Sequence, residues 1–99
     1  MGYGYIFLAN AQDEYESSIS WYNERSRLAA DQFIEAVDHA LQLICDHPNR
    51  WRNEYKNYYE LGVKKYPFSI VYTIDAKQGL VIVSSIYHQS RNPKKKYKK

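Results

Sequence analysis

Cysteine occurs once, proline three times and glycine four times in 99 residues, and no apolar run is long. A lone Cys45 excludes a disulfide framework within the chain and suits a reducing compartment. It sits beside Leu41, Leu43 and Ile44, where a small buried thiol is the common case. No stretch approaches the roughly 18 apolar residues that span a bilayer. Residues 1–10 carry no basic region leading into a long apolar run, so no signal peptide and a cytoplasmic protein are expected. His39, His47 and His88 are far apart and none stands at metal-ligand spacing from Cys45, so no metal or cofactor site is expected. There is no glycine-rich phosphate loop and no spacing that supports a Ser-His-Asp triad.

What the chain has instead is aromatic surface: 11 Tyr, 3 Phe and 2 Trp. Such side chains bury large areas while keeping polar edges, which argues for a folded protein despite low mean hydropathy. At this length one compact domain is expected, over residues 1–93, with a basic, disordered tail at 94–99. The net charge of +3 conceals an asymmetry: residues 1–50 balance to −5 and residues 51–99 to +8. Opposite fields of this kind suit a polyanion or an acidic protein partner on the basic side.

Tyr3 to Leu8 reads as a short strand. Asn10 resembles a helix N-cap with Asp13 three residues on, and Glu14 favours the positive end of the helix dipole. Ala11, Tyr15, Ile19 and Tyr22 recur at helical spacing. Ser26 caps a second helix whose apolar face is Ala29, Phe33, Val37, Ala40 and Ile44, and His47-Pro48 ends it. Two helices so closely joined form an antiparallel hairpin. Trp51 to Tyr59 reads as a loop entering a strand, and Leu61 to Tyr66 alternates loosely. Phe68 to Ile74 alternates well, with Phe68, Ile70, Tyr72 and Ile74 on one face. Asp75 to Gly79 is a turn, and Leu80 to His88 is a further strand. The expected architecture is α+β in the order β-α-α-β-β-β, with an N-terminal strand and helical hairpin packed on an antiparallel sheet.

Several stretches resemble the RelE/ParE toxin superfamily. They are Ala11-Gln12-Asp13 with Tyr22, Ala30 with Phe33, Asp46-His47-Pro48, Lys64 to Tyr72 around Tyr66-Pro67-Phe68, and Ile86 to Pro93 with its His-x-x-Arg-x-Pro ending. The ParE and plasmid-stabilisation branch is the nearer resemblance. It implies a toxin of a bacterial type II toxin-antitoxin system, held by a cognate antitoxin. ParE-like members inhibit DNA gyrase, whereas RelE-like members cut messenger RNA on the ribosome. A third reading, free of the family, is a non-catalytic basic module that touches nucleic acid. Many members carry an arginine near the positions of Tyr59 and Glu60, and here neither is basic. A homodimer or a toxin-antitoxin hetero-oligomer, with no membrane partner, is the expected assembly.

Cleaving RNA at a 2′-hydroxyl takes an acid, a base and cations around the phosphorus. His88 is the candidate acid or base, with Arg91 and Lys65 as the cations if the chain is a nuclease. Lys64, Tyr87, Lys94, Lys95, Lys96 and Tyr97 are the candidates for target or nucleic-acid binding. The residues also admit a plain alternative. By strict alternation His88 shares a face with Leu80, Ile82 and Ile86, where a histidine often only packs. A regular strand would point Lys64 and Lys65 to opposite faces, so only one would meet a given ligand.

Overall fold

The computed structural model describes residues 2–90. Its elements are β1 (Gly4–Phe7), α1 (Ala9–Arg25), α2 (Arg27–Asp46), β2 (Arg52–Tyr55), β3 (Tyr58–Gly62), β4 (Phe68–Asp75) and β5 (Leu80–His88). The five strands lie in the order β1-β5-β4-β3-β2, with β1 parallel to β5 and the other neighbours antiparallel. The expected α+β order holds, with one strand more. That strand, β2, forms a hairpin with β3 inside the segment read as a loop. It was hidden because no glycine marks its turn. Lys56 takes φ +49° there. The Asn53 amide ties the hairpin by donating to the carbonyls of Lys56 and Tyr58 at 3.0 and 2.7 Å.

α1 and α2 are joined by Ser26 alone. Its backbone N–H ends α1 on Tyr22 O, and its hydroxyl accepts from Ala29 N–H at 3.3 Å to start α2. This is the helix-capping role expected of serine. α2 buries Ala30, Phe33, Val37, Ala40, Leu41, Ile44 and Cys45 against the sheet. Phe33 is the hub: its ring lies 4.8 Å from Tyr22, 5.1 Å from Phe68 and 5.4 Å from Tyr66. A fully buried Phe of this kind contributes about 3–5 kcal/mol relative to alanine. His47 ends α2, and the Tyr72 hydroxyl donates to Pro48 O at 2.6 Å, fixing the chain as it leaves the helix. Burial pushes the Tyr72 phenol well above its ordinary pKa, with Tyr59 and Cys45 adding to the rise. Among the described residues no helix is long and apolar enough to cross a membrane.

Asn10 is not the N-cap of α1. Leu8 holds that position, accepting from Gln12 N–H at 3.0 Å, because the helix starts one residue beyond β1. Asn10 and Glu14 instead serve β5. β1 ends opposite Val83, and past that point the β5 edge faces α1. There the Asn10 amide donates to Ser84 O at 3.3 Å. One Glu14 carboxylate oxygen accepts from Ile86 N–H at 2.9 Å and from the Ser85 hydroxyl at 2.8 Å. Side chains of a helix thus complete hydrogen bonds that a longer β1 would have made, and buried backbone groups need such partners.

β5 also carries a bulge. Val71 lies opposite Ser85 while the next residue, Tyr72, lies opposite Val83, so Ser84 is the extra residue. The Ser84 hydroxyl donates to Val71 O at 3.2 Å. An extra residue inverts the alternation beyond it. Val81 and Val83 reach the core before the bulge, and Ile86 reaches it after.

Candidate target-binding site

The C-terminal end of β5, the start of β4 and the β3–β4 turn share one end of the sheet. The bulge decides which side chains meet there. His88 pairs with Phe68, so it lies on the helix-facing side with Val81, Val83 and Ile86, not with Leu80 and Ile82 as strict alternation had it. Its ring sits edge-on to Phe68 at 4.9 Å. His88 Nδ1 accepts from Ser90 N–H at 3.1 Å and lies 2.7 Å from the Ser90 hydroxyl. That bond leaves Nε2 to carry the proton of the neutral ring. The imidazole lines a cleft of about 450 Å³ with Ser17, Trp21, Tyr22, Pro67 and Phe68.

Tyr87, one residue earlier, pairs with Ser69 and faces the other side of the sheet. It lines a second cleft of about 460 Å³ with Trp51, Arg52, Glu60, Ser69 and Gln89. Arg52 and Glu60 are cross-strand partners there. The sequence reading missed Arg52 because it lies in the hairpin taken for a loop. The signal for it was present: Arg52 is a basic residue beside Trp51, at the start of an aromatic segment.

Lys64 and Lys65 are not on a strand. They occupy an exposed turn closed by Val63 N–H to Phe68 O at 2.8 Å and Tyr66 N–H to Val63 O at 3.1 Å. Lys65 holds φ +71°, a left-handed conformation that an L-residue adopts at some cost. The turn therefore sets both lysines on the rim instead of dividing them between faces. Arg91, Lys94, Lys95, Lys96 and Tyr97 lie outside the described residues. Of the candidate set, the structure brings Lys64, Lys65, Tyr87 and His88 to one end of the sheet, with the last two on opposite faces. Among the described residues no group of His, Cys, Asp or Glu side chains is arranged to hold a metal. Burial, with Asp46 adding to it, pushes the Cys45 thiol above its ordinary pKa, as for an inert packed cysteine.

A third concavity lies at the opposite edge of the sheet, between β1 and α2. It measures about 610 Å³ and is lined by Tyr5, Phe7, Tyr15, Ile34, Asp38 and Leu41 among others. Burial lifts the Tyr15 phenol above its ordinary pKa, and the neighbouring Tyr5 and Asp38 add to the rise.

This arrangement, a helical hairpin on one face of a five-stranded sheet with a mixed edge, recurs in solved toxin-antitoxin structures. A chain of the chromosomal ParDE system from P. aeruginosa superposes with a TM-score of 0.72 at 11% identity, covering 87% of this chain and 95% of that one. A chain of the RelBE2 complex from Mycobacterium tuberculosis gives 0.61 at 17%, covering 92% and 95%. The isolated E. coli RelE toxin gives 0.54 at 16%, covering 91% and 87%. Identities this low establish a shared fold. No curated protein matches the chain significantly by sequence. The family comes from a model of the ParE toxin of the type II toxin-antitoxin system parDE, which matches residues 5–93. The chain belongs to this ParE toxin family.

Proposed function

We propose that this toxin pairs with a cognate antitoxin and, when free, arrests growth by binding DNA gyrase or a similar protein target rather than by cutting RNA. Residues 1–93 act as the working domain and 94–99 as a basic tail. One observation carries the choice of binding over cleavage. Tyr87 and His88 project from opposite faces of β5, and Lys64 and Lys65 stand on an exposed turn. A nuclease needs its acid, base and cations within hydrogen-bond reach of one ribose and one phosphate. Here the acid-base candidate faces an aromatic-walled cleft beside α1, and one of its nitrogens is engaged by Ser90. A rim with cations on a turn and aromatic clefts on both sides suits a protein surface better than a scissile phosphate. The partnership with an antitoxin is supported by family membership and by the toxin-antitoxin systems from which the similar folds come.

The test has two arms. Purified protein is added to a gyrase supercoiling assay, and cellular RNA ends are mapped after the protein is induced alone. Inhibited supercoiling with intact messages is the expected result. Codon-phased cuts in translated messages with unimpaired supercoiling would overturn the binding reading in favour of a ribosome-dependent nuclease. Nonspecific, salt-sensitive binding to nucleic acid without growth arrest would favour the basic-module reading.

A further inference from the structure

The two walls of the His88 cleft come from segments that meet only in the folded chain. Trp21 and Tyr22 of α1 stand edge-on to each other at 5.0 Å, and Phe68 and His88 stand edge-on at 4.9 Å. The cleft they line measures about 450 Å³, within the range of pockets that hold a ligand or an anchoring side chain. Tyr22 is braced from behind by Phe33 at 4.8 Å and Tyr66 at 5.7 Å, whereas Trp21 is 51% exposed. Rings on both walls offer edges and faces to a further ring. None of the lining side chains is a carboxylate, and the imidazole keeps Nε2–H as a donor because Ser90 occupies Nδ1. Cations stand beside each wall. The Arg25 guanidinium lies 3.4 Å over the Trp21 ring, and Lys65 belongs to the exposed turn that leads into Pro67 and Phe68. The carboxylates of this part of α1, Asp13, Glu16 and Glu24, line a separate groove that meets the cleft at Ser17 and Trp21.

We infer that this cleft takes an aromatic side chain of the toxin's protein target, carried on a segment with aspartate or glutamate on either side of it. The inference deepens the binding reading above and rests on it for the identity of the partner. Each feature of the segment answers something on the surface. The ring-lined walls call for an aromatic anchor, the kind of residue that dominates interface energetics. Arg25 and Lys65, with no carboxylate in the lining, call for acidic neighbours. A basic segment would be drawn away from the rings, toward Asp13, Glu16 and Glu24. A second copy of this chain fits less well. Its exposed Tyr55 stands between Glu54 and Lys56, and inserting that ring would bring Lys56 toward Arg25 and Lys65.

The probes are two short synthetic peptides that differ only in charge, one phenylalanine flanked by glutamates and one flanked by lysines. Binding to the full chain is followed by calorimetry and by the imidazole NMR signals of His39, His47 and His88. The glutamate peptide is expected to bind about tenfold or more tightly than the lysine peptide. It should move the His88 signals and leave those of His39 and His47 in place. Replacing its phenylalanine with alanine should remove binding. Trp21→Ala should weaken binding about tenfold. Arg25→Glu, an exposed charge reversal, should invert the peptide preference and supplies the test if Trp21→Ala does not fold. In the supercoiling assay the glutamate peptide should relieve inhibition by the protein. Equal affinity for both peptides, a preference for lysine, unmoved His88 signals, or a homodimer that the glutamate peptide dissolves would each overturn the inference. The peptide measurements do not involve gyrase. Unimpaired supercoiling therefore counts against the function proposed above, whereas unselective peptides count against the cleft alone.

Discussion

The outer edge of β5 is held in two different ways along its length. From Leu80 to Val83 it pairs with β1, backbone to backbone. From Ser84 to Ile86 it is held by Asn10 and Glu14 of α1. The first half uses groups that every residue carries, so it tolerates substitution as long as the chain stays extended. The second half depends on an amide and a carboxylate at fixed places on a helix. The bulge at Ser84 is where one regime gives way to the other. A functional end built on the second half therefore inherits its shape from a few replaceable side chains.

The strongest way to break this contrast is insertion of one alanine between Ser85 and Ile86. The inserted residue would take the place opposite Ile70 and turn Ile86 and His88 away from the core, a loss of about 3 kcal/mol or more, read as a lowered urea midpoint. Glu14→Ala should cost about 2–3 kcal/mol, because it strands the Ile86 N–H and the Ser85 hydroxyl. In hydrogen exchange the Ile86 amide should then open while Val83, on the β1-paired half, stays protected. Glu14→Gln should recover part of the loss, since an amide oxygen still accepts.

Tyr72 sharpens the comparison from the other side, for it pairs with Val83 at the junction. Tyr72→Phe removes the bond to Pro48 O and should cost about 1–1.5 kcal/mol at neutral pH. The folded protein holds this phenol above its unfolded pKa, so its contribution is complete below about pH 10 and is lost as pH rises further, where the unfolded chain ionises first. Denaturation at pH 8 and pH 11 should show that alkaline loss in the parent and a smaller one in Tyr72→Phe. The smallest effect belongs to Asn10→Ala, about 0.5–1 kcal/mol, because it removes a single neutral hydrogen bond of 3.3 Å to Ser84 O. A larger loss from Asn10→Ala than from Glu14→Ala would mean that the carboxylate is not the main support of this edge.

Much of the fold was legible from local pattern. Ser26 starting the second helix, Pro48 ending it and Phe68 to Ile74 as a strand each follow from short-range chemistry. β2 was not legible, because Lys56 takes a positive φ without glycine and Asn53 supplies the brace from outside the turn. Asn10 misled for a similar reason: its type suits an N-cap, but a more distant carbonyl at Ser84 claims its amide. At the site, Tyr87, His88, Lys64 and Lys65 were visible as residue types at the end of a strand. Their faces were not, because a single inserted residue inverts the alternation and a turn replaces the expected strand at Lys64 and Lys65.

By itself the sequence determined the order of the elements, the apolar stripe of α2, the opposite charges of the two halves and the ParE family. Only the tertiary structure decided that Tyr87 and His88 serve different clefts, that Glu14 supports β5 and that β1 keeps an open edge. The physical reason is range. Helical spacing, capping and turns depend on neighbours a few residues apart, whereas a bulge, a borrowed carboxylate and an unpaired edge exist only once segments more distant in the chain, up to 72 residues apart for Glu14 and Ile86, lie side by side.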